Sequence, residues 1–368
     1  MPSTDKLKYW VGFSLIPGIG RVKISQIKQF FGNMENAWQA SAGELKQAGL
    51  DQRSVSTILD LRPNISLDDE ITKLEKHNVT ALTCDDPLYP PRLREIYDYP
   101  VVLYVRGNLL PKDGPYLAVV GTRHPTIYGR QVAEELATEL TQSGITIVSG
   151  LARGIDSVVH KATLRAGGDT IAVFASGLDV VYPAENVKLA QSIMEHGALV
   201  SEYPLGVRPR AGNFPLRNRI MSGLSLGVLV IEAGERSGAL ITAFQALEQD
   251  REVFAVPGSI LSPTSKGTNR LIQEGAKLVR NQNDILEELN LTGISHPSEP
   301  KEFQPENEIE SQVIKQLGTE PHYIDTICRF SGLAMSEVSS TLVILELKGV
   351  VKHMGNMNYV LAHNIKAE

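Results

Sequence analysis

From Tyr116 to Val279 the chain repeats one unit, a short run of β-branched and apolar residues followed by an amphipathic stretch of helical period. Strands are predicted at Leu117 to Val120, Ile145 to Ser149, Thr170 to Phe174, Ala198 to Ser201, Leu226 to Ile231, Val253 to Val256 and Lys277 to Val279. The intervening helices fall near Tyr128 to Gln142, Ile155 to Ala166, Asn186 to His196, Leu216 to Leu224, Ala239 to Gln249 and Asn269 to Glu274. Strands that are apolar throughout are buried on both faces, and strand-helix alternation buries them that way in a parallel sheet. The predicted class is α/β, with a Rossmann-like, doubly wound, mostly parallel sheet.

Smaller parts flank this core. Residues 1–65 are predicted as a helical N-terminal domain of helix-hairpin-helix or SAM-like type. Its piece Leu15-Ile16-Pro17-Gly18-Ile19-Gly20-Arg21 either turns its amides toward a DNA backbone or merely joins two helices. A helix at Leu67 to His77 and strands at Val79 to Thr83 and Val101 to Val105 extend the central domain, which is placed at 66–291. Residues 292–307 carry three prolines and no apolar period, so they read as a linker. Beyond it, in 308–368, helices near Ile309 to Leu317, Tyr323 to Phe330 and Met335 to Leu347 precede a hairpin at Val350 to Val360, the order of a winged helix. Its last helix carries Glu337 and Glu346, with Lys348 after them, which favours a protein contact or a structural role over reading DNA.

Charge is the first obstacle to a nucleic-acid partner, because the formal net charge is −6 and phosphate contacts need Lys and Arg. Local field decides, however. Between Tyr203 and Ile231 there are four arginines, Arg208, Arg210, Arg217 and Arg219, and no Asp or Glu. Phe214 lies among them, either as a core anchor or as a platform for an unpaired base. Cys84 and Cys328 stand alone, so neither a disulfide framework nor a zinc site is expected. No signal segment and no apolar run of membrane length is evident, so a cytoplasmic protein is expected.

Ligands of doubly wound sheets bind where strand ends meet helix N-termini. The first such loop, Gly121-Thr122-Arg123, combines a glycine that admits an anion with an arginine that can bind phosphate bidentately. The next, Ser149-Gly150-Leu151-Ala152-Arg153-Gly154, repeats the logic, and Asp156 and His160 behind it read as a cap and a packed or exposed side chain. Arg236-Ser237-Gly238 offers small donors at a further helix start. The candidate contacts are thus Gly121, Thr122, Arg123, Ser149, Gly150, Arg153, Arg208, Arg210, Phe214, Arg217, Asn218, Arg219, Ser237 and Gly238. A full G-x-G-x-x-G is missing, and no Walker A, HExxH or Ser-His-Asp pattern occurs, so no cofactor, metal or catalytic residue is expected.

The runs VVGTR, SGLARGID, SEYPLG, FPLRNRIMSGLS, ERSGALITA, FAVPGS and KGTNRLIQEGA, in this order, resemble the DprA/Smf family across residues 80 to 290. The resemblance implies a non-enzymatic, dimeric binder of single-stranded DNA that serves natural transformation, competence and recombination. It also implies that the strand is protected and delivered to a RecA-type recombinase. Carried over, Gly121, Thr122, Arg123 and Gly150 hold phosphate, Phe214 contacts a base, and Arg217, Asn218 and Arg219 line or brace the pocket. Ala211 stands where the family pattern has a basic residue, so Arg208 or Arg210 substitutes. The alternative is a nucleotide-processing hydrolase of the related Rossmann-like type, although Pro257-Gly258-Ser259 breaks the Pro-Gly-Gly-x-Gly-Thr run such enzymes resemble one another in.

Overall fold

The computed structural model describes residues 4–108, 114–291, 301–302, 305–318, 322–355, 357–361 and 365–366. Most of the expected linker, together with Asn356 of the expected hairpin, lies outside them. Two compact units result, 1–295 and 296–368.

In the first unit the strands β1 (Thr80–Thr83), β2 (Val102–Gly107), β3 (Tyr116–Val120), β4 (Thr146–Ser149), β5 (Thr170–Val173), β6 (Gly197–Ser201), β7 (Gly227–Val230), β8 (Glu252–Ala255) and β9 (Lys277–Leu278) form one sheet. Their order is β1-β2-β6-β5-β4-β3-β7-β8-β9. β2 runs antiparallel to β1 and β6, and every pairing from β6 to β9 is parallel. The chain winds outward from β3 to β6, then returns beside β3 and winds the other way. The crevice at the carboxyl ends of β3 and β7 is therefore the topological switch point.

Strand periodicity divides the core. Leu117, Val119, Ile147 and Leu229 face the helices Ile127–Gln142 and Ile155–Arg165, while Ala118, Val120, Val148 and Val228 face the helices Asn213–Leu224 and Gly238–Glu248. Trp10 and Phe13 of the N-terminal helix Thr4–Ser14 join the second core, so the described N-terminal helices share one core with the sheet. Phe13 meets Trp38 edge to face at 5.0 Å, and the hydroxyls of Ser14 and Tyr104 lie 2.8 Å apart. The helix expected at Leu216 begins earlier, at Asn213, because Pro215 falls in its first turn, where no intrahelical N–H is needed. The second unit is a winged helix, with the helices Glu308–Ile314, Ile324–Ser331 and Met335–Leu347 closed over Val313, Ile327, Val338 and Leu342 by the pair Val351–Gly355 and Asn358–Leu361.

His160 is fully buried. The Thr170 hydroxyl donates to the Ile147 carbonyl at 2.7 Å, so it accepts from the His160 ring at 2.7 Å, which places the imidazole proton on Nδ1. Nε2 is left without a partner. Burial, helped by the Arg217 cation, holds the imidazole down at about 3, against 6.5 when free. The unfolded ring therefore takes up a proton that the folded ring refuses, and stability is lost as pH falls from 6.5 toward 3, by up to about 1.4 kcal/mol per pH unit. His160→Leu is expected to flatten the dependence of the urea midpoint on pH between about pH 6.5 and 4.5. A variant with the wild-type slope would contradict this.

Candidate nucleic-acid interface

The switch-point crevice holds a pocket of about 310 Å³, lined by the β3 loop, the start of the helix Asn213–Leu224 and the start of the helix Gly238–Glu248. Neither helix has an acidic residue in its first turn, so the positive ends of two macrodipoles converge on the pocket uncompensated.

Its floor holds two buried charged side chains of opposite sign. Arg217, 4% exposed, donates from Nη1 to the Val173 carbonyl, and Asp156, 6% exposed, lies within its electrostatic reach without a direct salt bridge. Oδ2 of Asp156 also accepts the amides of Gly150 at 3.1 Å and Ala152 at 3.3 Å. Burial pushes the Asp156 carboxyl up while Arg217 and the two amides oppose it. Burial likewise lowers Arg217, to about 10, which leaves it a cation at neutral pH. Gly150 makes the arrangement possible, since a Cβ there would sit 2.1 Å from Arg217 Nη1. Gly154, at φ +77°, is the second such position, because a Cβ would meet the Thr122 carbonyl at 2.3 Å.

The walls are tied in the same way. The Thr122 amide donates to the Glu232 carbonyl at 2.7 Å, and the Ile155 amide donates to the Thr122 carbonyl at 3.2 Å. This lacing fixes where Arg123 leaves the backbone. Arg123 is exposed, forms no ion pair among the described residues, and lies over the Phe214 ring at 5.4 Å. Phe214 is half-buried in the pocket wall, with Tyr182 against it at 5.7 Å. Asn218 and Gly238 line the opposite wall with Ser237, whose hydroxyl accepts the Ala239 amide at 3.3 Å. Thr242 Oγ1 is buried there without a partner.

Of the expected contact residues, the structure therefore brings Gly121, Thr122, Arg123, Phe214, Arg217, Asn218, Ser237 and Gly238 to one pocket. Others are placed differently. Ser149 is fully buried and donates to the Val119 carbonyl at 2.7 Å, so its hydroxyl faces the sheet interior. The Gly150 amide serves Asp156 and is not free for a ligand. Arg153 is paired with Glu185 through two hydrogen bonds of 3.0 and 2.9 Å. Arg219 pairs with Asp98 and Glu202 and lines a separate cleft beside Tyr97 and Tyr99. Arg208 and Arg210 are exposed on the segment leading to Phe214, without an ion pair among the described residues. Sequence reasoning missed His124, which lines the pocket, and Tyr182, whose only signal was an aromatic ring in a loop at the carboxyl side of the sheet. Among the described residues no group of three or more His, Cys, Asp or Glu could hold a metal ion.

A doubly wound sheet whose switch-point pocket combines an exposed arginine, an aromatic ring and two helix N-termini defines a Rossmann-like α/β protein. The chain belongs to the DprA/Smf family: residues 80–290 match the model for DNA recombination-mediator protein A, and residues 297–356 match the DprA winged helix domain. It is 35% identical to Protein Smf of Synechocystis sp. over 95% of this chain and 98% of the relative. It is 42% identical to Protein Smf of Escherichia coli over 83% of each chain, and 46% identical to DNA processing protein DprA of Streptococcus pneumoniae over 60% of this chain and 78% of that one. The X-ray structure of the Streptococcus pneumoniae protein superposes with a TM-score of 0.68 at 38% identity, covering 76% of this chain and 97% of the other. DNA processing protein A from Helicobacter pylori, whose structure is described as revealing its single-stranded DNA binding mode, gives a TM-score of 0.52 at 32% identity, covering 58% and 95%.

Gly150→Ala tests the floor of the pocket. The added methyl has to displace the buried Arg217 guanidinium from the Val173 carbonyl, at an expected cost of about 1–3 kcal/mol. Urea unfolding should show a lower midpoint with an unchanged slope. Wild-type stability would mean that the guanidinium moves aside freely.

Proposed function

We propose that the switch-point pocket binds the sugar-phosphate chain of single-stranded DNA, and that the protein acts without catalytic turnover in processing DNA for transformation and recombination. One observation carries this reading: Arg123, exposed and without an ion pair among the described residues, is held over the ring of Phe214 at a pocket where two helix N-termini meet. A phosphate accepts from the guanidinium and the Thr122 hydroxyl in the field of the converging dipoles, while the Phe214 ring stacks the adjoining base. The single-stranded DNA binding described for the Helicobacter pylori relative supports the same assignment.

On this reading the protein shields exposed single strands and passes them to a RecA-type recombinase in the cytoplasm, working as a homodimer. Ile260 and Leu261, 83% and 88% exposed on the loop after β8, offer apolar surface for self-association. Among the described residues no single helix is long and apolar enough to cross a membrane.

Arg123→Ala is expected to weaken single-strand binding several-fold or more and, because one phosphate is then no longer neutralised, to lower the slope of log K against log salt by about 0.7. Fluorescence anisotropy across salt measures both, with single- and double-stranded oligonucleotides compared. Unchanged affinity at every ionic strength would remove the pocket from the account. Phe214→Leu should cost about 1–3 kcal/mol of affinity with the salt slope retained. A fall in Tm alone would make that ring a core anchor. Steady release of free base from nucleoside monophosphates would instead establish the hydrolase.

A further inference from the structure

Tyr182 and the Arg153–Glu185 pair lie just outside the pocket and have no role in the floor or walls described so far. Tyr182 stands on the loop after β5, 45% exposed, with its ring tilted 57° against Phe214 at 5.7 Å. Its hydroxyl makes no hydrogen bond among the described residues. A tyrosine that anchored this loop would bury its ring or fix its hydroxyl, and this one does neither. Three residues further on, Glu185 receives both hydrogen bonds of the Arg153 fork. The two side chains are 54% and 56% exposed, so their pairing contributes little to stability. Its geometry is nonetheless the one in which a guanidinium grips a phosphate.

Phe214 and Tyr182 therefore stand ring against ring beside Arg123, and Arg153, a second cation masked by the Glu185 carboxylate, belongs to the loop whose Gly154 packs on the Arg123 backbone. We propose that the single strand leaves the pocket past these side chains, that a base stacks on Tyr182 next to the one at Phe214, and that Arg153 takes a neighbouring phosphate by releasing Glu185. Glu185 is then a resident competitor, an anion occupying the site of the anion to be bound. This track rests on the pocket's reading as a single-strand site and extends it by one base and one phosphate.

Five variants of the full chain test it with fluorescein-labelled oligothymidylate, by anisotropy at several salt concentrations. Tyr182→Leu should weaken binding about fivefold or more with an unchanged salt slope. Tyr182→Phe, which keeps the ring, should bind as the wild type does. Glu185→Gln should bind several-fold more tightly at low salt, and the gain should vanish when Arg153→Ala is added. Equal Tm values for Tyr182→Leu and Tyr182→Phe separate impaired stacking from impaired folding. Wild-type affinity in either Tyr182→Leu or Glu185→Gln, with Arg123→Ala weakened, overturns the track and leaves the pocket standing. If Arg123→Ala also binds normally, the pocket falls with it.

Discussion

The constraint on which the site depends is the burial of two opposite charges, Arg217 and Asp156, each held by backbone hydrogen bonds within reach of the other's field. A guanidinium inside a protein core is tolerable only when its charge is answered and its donors are used. Asp156 answers the charge, and the Val173 carbonyl takes Nη1, while Nε remains without a partner. That carboxylate gathers the amides of Gly150 and Ala152 and so fixes the β4 loop, while Arg217 ties the helix Asn213–Leu224 to the end of β5. Phe214 and Asn218 are presented from that helix, and their placement follows from the buried pair beneath them.

Topology then explains why an acidic chain can hold an anion here. At the switch point the loops after β3 and β7 diverge, leaving a crevice into which helix N-termini point. Among the described residues that line the pocket the only carboxylate is Asp156, and it already accepts two amides within the field of the Arg217 cation. The net charge of −6 belongs to the whole chain, whereas an anion at the pocket meets the local field of Arg123 and the helix N-termini.

Much of this was legible in the residues because it is local. Runs such as Leu117 to Val120 announce buried strands by composition, and Gly121 and Gly150 announce tight turns at strand ends. What was not legible is pairing across the chain. Arg153 and Arg219 look as available as Arg123 in the sequence, yet Glu185, Glu202 and Asp98, all remote along the chain, engage them. Ser149 reads as a donor beside a glycine loop, but strand alternation turns its hydroxyl toward Val119. Arg217 carried a basic-cluster signal and serves largely as structure, since nothing local reveals that its neighbour in space is Asp156. Tyr182 carried no signal strong enough to stand out, because its meaning comes from the ring of Phe214 packed against it.

Cross-linking measures the central claim most directly. A single-stranded oligonucleotide carrying 5-iododeoxyuridine, irradiated with the full chain and mapped by mass spectrometry, should attach to peptides containing Phe214 and the β3 loop around Arg123. Cross-links confined to the winged-helix unit, or to the cleft around Tyr97 and Arg219, would contradict the assignment of the strand to the switch-point pocket.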